Sequence, residues 1–288
     1  MCDQDNLAAM NQPSVNRRQF AKLGAIATLA ACTPLDGAEA ATGLTEAVAT
    51  FDAPGGKMDT YFVYPAQGKH PAVILWPDIA GLRDVFMSMG RRLAREGYAV
   101  LILNPYYRDA PSPQFDDFDD FRTNGGMDKV GPWREKLTAD AIKETATAVI
   151  GWLDLQDQVD TSKAIGSQGY CMAGGFTVWT AAAAPERVKA AASFHGAALV
   201  SDDPTSPAKM LGQTQASFLF AIAKNDDARA PGDKTALKNA AMEAGRPAEV
   251  AVYRGDHGWT VADSPAYDDD AAEKAWDRLL NLYSTTLA

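Results

Sequence analysis

Cysteine and histidine are scarce in this sequence, and the scarcity limits the chemistry that it can carry. The chain has 3 cysteines and 3 histidines among 288 residues, and Cys2 and Cys32 both lie near its start. Cys171 is therefore the single thiol of the predicted globular part, where it has no partner for a disulfide or for a C-x-x-C redox pair. The spacing of the histidines matches no metal-binding motif, so we expect an activity that needs neither a metal nor another cofactor.

Positive charge is also in short supply. Lys and Arg number 27 against 37 Asp and Glu, which gives a formal net charge of -10. Such a surface repels phosphate backbones and anionic lipids, so we expect no nucleic-acid partner and no direct binding to membrane surfaces. Residues 115–121 intersperse aspartate with phenylalanine, and this mixture predicts a solvated surface loop, with a substrate-covering flap as the alternative.

The start of the chain carries a targeting pattern. Arg17 and Arg18 precede Phe20 and Lys22, and residues 23–31 then form a moderately apolar run that is too short for a permanent membrane span. The R-R-x-F-x-K arrangement resembles a twin-arginine signal, which would export an already folded bacterial protein. We therefore predict that residues 1–40 are an export signal and that the mature protein lies outside the cytoplasm.

Two cleavage sites stay open within this segment. Leu29-Ala30-Ala31-Cys32 resembles a lipobox, and cleavage there would leave a lipidated Cys32 at the mature amino terminus. Ala38-Glu39-Ala40 is an A-x-A site, and its use would release a soluble periplasmic protein. Contact with a membrane would therefore arise only through a lipid anchor on Cys32.

Beyond residue 44, short apolar runs alternate with longer segments of helical periodicity. No repeat or Pro/Gly/Ser-rich linker divides this part, and a hydrophobic content of 47% supports one large core, so residues 44–288 are predicted to be one domain. Near-continuous apolar runs are typical of parallel strands covered on both faces. The alternation predicts a doubly wound, mostly parallel α/β sheet, with strands at residues 71–76, 98–103, 164–166, 190–194, 217–223 and 250–253 and helices at 85–96, 138–155, 176–184, 234–244 and 266–283.

Cys171 lies where such a sheet presents reactive groups. Its surroundings, GSQGYCMAGGF at residues 166–176, follow a predicted strand and lead into a predicted helix. Ligand sites of open α/β sheets form at the carboxyl ends of the strands, and a sharp strand-turn-helix connection exposes a nucleophile there. The small residues Gly169, Ala173 and Gly174 suit the strained backbone of such a turn. The alternative is a buried structural cysteine.

One histidine lies where the base for this nucleophile is expected. His257 lies in a loop after the strand at residues 250–253 and before the last helix. His70 is predicted at a surface turn, and His195 ends another strand, where it either lines the pocket or serves as a hydrogen-bonded structural residue. His257 is therefore the predicted base.

The acid is expected after an intervening strand. Asp226 and Asp227 both follow the strand at residues 217–223, so that a carboxylate can orient the imidazole and stabilise its cationic form. We favour Asp226 and keep Asp227 as the alternative, because spacing does not separate adjacent residues. The order nucleophile, acid, base, each just past a strand, predicts a catalytic triad.

These residues resemble the dienelactone hydrolase family of the α/β-hydrolase fold. The likeness runs from about Asp59 to the carboxyl terminus and is most specific in the segments GYCMAGG, AKNDD and GDHGW. It implies hydrolysis of an ester or enol-lactone through a thioester acyl-enzyme. Cys171 would be the nucleophile, His257 the general base and then acid, and Asp226 the residue that orients it.

The resemblance also implies roles around the triad. Asp78, in LWPDIAGLRD, stands where the family has a glutamate that holds the resting thiol. The backbone N–H groups of Ile79 and Met172 would form the oxyanion hole. Arg108 matches one of two arginines that clamp a substrate carboxylate, whereas Val261 stands where the other would be.

The predicted function is therefore a hydrolase for a small-molecule ester or lactone. His195 and Trp259 are further candidates for substrate binding. Two other classes stay open: a thiol-dependent redox or thiol-transfer protein that uses an activated Cys171, and a non-catalytic binding protein on a hydrolase fold.

Overall fold

A mixed sheet organises the part of the chain that the structure describes. The computed structural model describes residues 31–34 and 43–287, and its strands are β1 Ala31–Pro34, β2 Leu44–Ala53, β3 Gly56–Pro65, β4 Ala72–Trp76, β5 Ala99–Leu103, β6 Ile165–Tyr170, β7 Val188–Phe194, β8 Ser217–Ala223 and β9 Ala248–Tyr253. Their order across the sheet is β1-β2-β3-β5-β4-β6-β7-β8-β9. The β1–β2, β2–β3 and β3–β5 pairs are antiparallel, and the remaining pairs are parallel.

Helices cover both faces of this sheet. The described residues form α1 Asp84–Arg95, α2 Phe118–Thr123, α3 Gly126–Arg134, α4 Ala139–Leu153, α5 Gly174–Ala183, α6 Pro207–Met210, α7 Lys224–Arg229, α8 Asp233–Glu243 and α9 Asp269–Thr286. α1 and α9 pack on one face, where Phe86 and Leu279 join the side chains of the central strands. α4, α5 and α8 pack on the other face through residues such as Val149, Phe176 and Leu237. The predicted doubly wound α/β fold is confirmed.

Several elements differ from the sequence-based expectation. The antiparallel hairpin of β2 and β3 was not predicted, and neither was the short helix α7 at residues 224–229. The predicted surface loop at residues 115–121 is wrong in its second half, where α2 begins. Phe115 and Phe121 are 3% and 5% exposed, and their rings meet edge to face at 5.2 Å. Burial of these aromatic side chains orders the segment, while its aspartates stay at the surface.

The predicted export signal lies mostly outside the described residues. Of residues 1–40, the structure describes Ala31–Pro34, whose backbone pairs with β2. Export, cleavage and lipidation of Cys32 therefore stay predictions. None of the helices in the described ranges combines the length and the apolar character needed to cross a bilayer.

Candidate active site

The carboxyl ends of three strands bring a cysteine, an aspartate and a histidine together. Cys171 directly follows β6, Asp226 lies in α7 just past β8, and His257 lies in the loop after β9. Asp226 Oδ2 is 2.6 Å from His257 Nδ1, and the same imidazole interacts with the side chain of Cys171. Because a carboxylate only accepts, Nδ1 carries the proton and Nε2 is the nitrogen left for Cys171.

The contacts distinguish the two adjacent aspartates. Asp226 also accepts a hydrogen bond from Arg229 Nη2 at 3.1 Å. Asp227 forms an ion pair with Lys234 at 2.8 Å. Asp226 is thus the carboxylate that orients the imidazole of His257. The backbone N–H of His257 donates to Asn225 Oδ1 at 2.8 Å, which also fixes the loop after β9.

The electrostatics of this group favour a charged imidazole. Burial opposes the imidazolium form of His257, but hydrogen bonds with Asp226 and Cys171 and the charges of both outweigh it and raise its pKa to about 10. An imidazolium beside a thiol lowers the cost of forming the thiolate. The site therefore places a positively charged imidazole beside the candidate nucleophile.

The turn that carries Cys171 is as tight as the sequence predicts. Cys171 has φ 55°, a left-handed conformation that costs a non-glycine residue about 1–3 kcal/mol. A Cβ on Gly169 would lie 2.2 Å from the Ala173 carbonyl oxygen, and one on Gly174 would lie 2.4 Å from Gly196 Cα. These glycines allow the close approach of backbone segments that turns the thiol outward.

We expect Gly169→Ala to lower the free energy of unfolding by about 1–3 kcal/mol, because the new methyl group would force the turn apart. Gly151→Ala is the matched control. Gly151 lies in α4 with no neighbour within 4 Å of an added Cβ, so the change should stabilise by about 0.5–1 kcal/mol. Urea unfolding curves measure both, and equal shifts of the two midpoints would contradict the argument.

His195 holds the backbone of the turn. The Cys171 N–H donates to His195 Nδ1 at 3.2 Å, so Nε2 carries the ring proton and donates to Thr260 Oγ1 at 3.0 Å. The Cys171 carbonyl in turn accepts from the Ala197 N–H at 3.0 Å. Burial and the neighbouring His257 lower the pKa of His195 well below its usual value. The strained residue is therefore fixed at both of its backbone polar groups.

The predicted substrate-binding roles of His195 and Trp259 need correction. Their exposed fractions are 1% and 0%, so neither presents a surface to a ligand. Trp259 packs against the His195 ring at 5.2 Å and against Tyr253 at 5.3 Å. The structure gives His195 a positioning role and Trp259 a packing role.

Asp78 has a different partner from the one that the resemblance implies. Its carboxylate accepts two hydrogen bonds from Arg83, at 2.7 and 3.0 Å, and a third from the Ala80 N–H at 2.9 Å. Arg83 also binds Asp263 through Nε and Nη2, at 2.7 and 2.8 Å. The Asp78 oxygens are thus taken up by Arg83 rather than by the Cys171 thiol.

Arg83 was not among the predicted site residues, and its side chain is only 1% exposed. Burial opposes its charge, but Asp78 and Asp263 outweigh that effect and raise the pKa of Arg83. The signal was present as a lone arginine inside the apolar stretch IAGLRDVF. Because buried arginines are paired, such a residue indicates acidic partners nearby.

The loop after β4 adjoins the turn that carries the thiol. The Tyr106 hydroxyl donates to the Ile79 carbonyl at 2.8 Å and lies 3.5 Å from Met172 Sδ. Met172 is in the first turn of a short helix, where N–H groups have no intrahelical partner. Tyr106 therefore links the loop that contains Ile79 to the turn that contains Met172, and the oxyanion hole formed by their N–H groups stays a prediction.

A comparison with known protein families identifies the chain. Residues 58–287 match the model of the dienelactone hydrolase family. The chain belongs to the dienelactone hydrolase family. A Synechocystis sp. protein provisionally named carboxymethylenebutenolidase is 26% identical over 226 residues, which cover 77% of this chain and 89% of that protein. Carboxymethylenebutenolidase from Pseudomonas sp. is 23% identical over 239 residues, covering 83% and 94% of the two chains.

A solved structure of the family shows the same fold. The crystal structure of a provisionally named dienelactone hydrolase from Klebsiella pneumoniae superposes with a TM-score of 0.70 and 22% sequence identity, covering 84% of this chain and 98% of that one. Membership makes this chain a dienelactone hydrolase-like enzyme that acts on a small molecule.

One arginine that the dienelactone hydrolase resemblance assigned to the substrate lies elsewhere. Arg108 donates to Thr145 Oγ1 at 2.9 Å and to the Ala141 carbonyl at 3.2 Å, both on α4. A different arginine, Arg134 at the end of α3, acts electrostatically on Tyr106, whose hydroxyl lies beside Met172. Burial raises the pKa of Tyr106, and Arg134 offsets part of that rise. The contacts of Arg108 stabilise the fold and do not place it beside Cys171 within the described residues.

Proposed function

We propose that this dienelactone hydrolase-like enzyme cleaves a carboxylic ester or lactone through a thioester on Cys171. The observation that carries the proposal is the continuous contact from Asp226 through His257, at 2.6 Å, to the thiol. The names of the Synechocystis and Pseudomonas relatives support a lactone as one substrate class. Arg108 is engaged with α4 and Val261 is buried, so neither position offers a cation to a carboxylate group on the substrate. The substrate therefore needs no anionic group, and neutral esters fit the proposal.

In the proposed acylation half-reaction, the nucleophile is a Cys171 thiolate and the proton donor is the His257 imidazolium. The Cys171 thiolate attacks the carbonyl carbon, and the carbonyl oxygen becomes an oxyanion that accepts from the Ile79 and Met172 N–H groups. As the bond to the leaving oxygen breaks, the His257 imidazolium gives that oxygen its proton. The products are an acyl thioester and a neutral imidazole that Asp226 continues to orient.

The deacylation half-reaction reverses the proton transfer. The neutral imidazole of His257 takes a proton from water, and the resulting hydroxide adds to the thioester carbonyl. Collapse of the tetrahedral intermediate breaks the carbon–sulfur bond, releases the acid and restores the thiolate beside the imidazolium. No other group of the protein changes its protonation state.

The thioester itself provides the test. When the enzyme is mixed with 4-nitrophenyl acetate and quenched in acid, we expect an intact mass increased by one acetyl group, on the peptide that contains Cys171. The adduct should be absent from Cys171→Ala and should decay as the acid product forms.

Other outcomes separate the remaining classes of protein. A redox protein would instead show peroxide-dependent oxidation of Cys171 without ester turnover. A binding protein would show neither reaction. Sustained ester turnover without a transient adduct on Cys171 would contradict the proposed acyl-enzyme.

A further inference from the structure

A cavity lies away from the proposed triad. It has a volume of about 410 Å³ and lies between α1 and α9, on the sheet face that these helices cover. Its walls come from both helices, and its floor includes Tyr170 and Phe194, whose rings stack at 5.1 Å. Neither the thiol of Cys171 nor the side chains of Asp226 and His257 line it. The cavity is therefore separate from the proposed reacting groups.

The interior of this cavity is apolar. Val85 and Met89 line it from α1, and Ala275, Trp276 and Leu279 line it from α9. Apolar walls with a few polar groups at one edge are typical of small-molecule sites, whose volumes are about 300–1,000 Å³. The size and lining fit a flexible hydrocarbon chain.

The rim of the cavity carries cations in a protein that is otherwise acidic. Arg92 donates two hydrogen bonds of 2.6 Å to the Glu273 carboxylate, and its guanidinium lies over the Trp276 ring at 4.0 Å. Arg95 follows one turn later on α1, is exposed, and has no ion-pair or hydrogen-bond partner for its guanidinium among the described residues. With the whole chain at a net charge of -10, this rim is a local site of attraction for an anion.

We propose that the cavity binds a free amphipathic carboxylate, such as a medium-chain fatty acid. The guanidinium of Arg95 pairs with the ligand carboxylate, and the hydrocarbon chain lies between Met89 and Leu279. The Arg92–Glu273 pair shows that a carboxylate fits the guanidinium geometry at this rim. The proposal is independent of the proposed esterase activity, since it uses none of the residues that the reaction needs.

The cavity also backs onto the layer that supports the nucleophile. Tyr170 immediately precedes Cys171, and Thr260, another lining residue, accepts the hydrogen bond from His195. A ligand in the cavity therefore contacts Tyr170, the residue before Cys171, and Thr260, the hydrogen-bond partner of His195.

Calorimetric titration of the full chain with octanoate and decanoate tests the proposal. We expect one saturable site per chain, with affinity rising about fourfold for each methylene group that enters the cavity. Decanol, which lacks the charge, and decyltrimethylammonium, which reverses it, should both bind more weakly than decanoate. Failure of either carboxylate to saturate, or equal binding of the cationic amphiphile, would overturn the proposal.

Variants locate the site. Ala272→Trp fills the cavity from α9 and should weaken decanoate binding at least tenfold. Arg95→Gln removes the unpaired cation and should weaken binding about fivefold. Lys238→Gln is the matched control, because it removes the same charge from an exposed position on α8, on the opposite face of the sheet. Its affinity should equal that of the unaltered chain.

A folding check and an alkylation experiment complete the test. Circular dichroism verifies that Ala272→Trp is folded, and Ser88→Trp, at an exposed position of α1 on the same cavity, replaces it if it is not. Alkylation of Cys171 with iodoacetamide should leave decanoate binding unchanged. The assignment is refuted if alkylation abolishes decanoate binding. It is refuted equally if the decanoate affinity is unchanged both in the tryptophan variant that fills the cavity and in Arg95→Gln.

Discussion

Replacement of Cys171 by alanine is expected to lower kcat/KM for 4-nitrophenyl esters by about 10⁴-fold or more. The side chain that would form the covalent bond is gone, whereas the oxyanion N–H groups and the pocket remain and supply a small residual rate. Because Cys171 is only partly buried and alanine is smaller, the fold should tolerate the change. Steady-state kinetics and a thermal melt of the same sample measure both parts of the expectation.

The adjacent aspartates offer an internal control for this prediction. Asp226→Asn removes the charge that orients His257 at 2.6 Å and should cost about 10²–10⁴-fold in kcat. Asp227→Asn makes the same chemical change one residue later, where the carboxylate pairs with Lys234 instead, and should leave kcat unchanged. If both variants lose activity equally, or if Cys171→Ala keeps its activity, the proposed triad is refuted.

Arg83→Met is expected to lower the free energy of unfolding by about 3–5 kcal/mol, because it leaves Asp78 charged and buried with no counter-ion. The guanidinium that it removes is 1% exposed and binds two carboxylates, Asp78 and Asp263. Loss of one member of a buried ion network is costly even where the intact network contributes little net stability. Urea unfolding followed by circular dichroism measures the change.

Arg254→Met is the matched control for this stability prediction. Arg254 also contacts two carboxylates, Asp268 and Asp270, but its side chain is 62% exposed, so that water and salt screen the pair. A much smaller shift in the unfolding midpoint is expected. Comparable shifts for the two variants would show that burial of the Arg83 cluster is not what makes it costly to break. Combining Arg83→Met with Asp78→Asn should recover part of the loss, since the uncompensated charge is then removed.

The central part of the fold was predictable because its apolar runs carry one clear signal. Every strand predicted between residues 71 and 253 is present, since a parallel strand covered on both faces must be apolar along its length. The hairpin of β2 and β3 escaped prediction because its strands mix polar and apolar residues and it lies toward the edge of the sheet. Residues 118–123 form α2, whose Phe121 reaches the core, and this tertiary contact is not visible in the local composition.

The candidate site was partly predictable for a similar reason. Cys171, Asp226 and His257 come together because each follows a strand end, and strand ends meet at one edge of a parallel sheet. Asp78 and Arg83 are only five positions apart, but the second carboxylate on Arg83, that of Asp263, is 180 positions away, and only folding shows that the two touch. The burial of His195 and Trp259 likewise depends on how the loops after β7 and β9 pack together.

The buried His195 sets an acid limit on the folded protein. Its ordinary pKa is 6.5, and burial beside His257 lowers it well below that value in the native state. Between these two pKa values the unfolded chain binds a proton that the folded chain does not, so stability falls as the pH drops below about 6.5. A protonated Nδ1 would also become a donor and could no longer accept the N–H of Cys171. Acidification would therefore act first on the strained turn beneath the thiol, through a side chain that lies outside the reacting set.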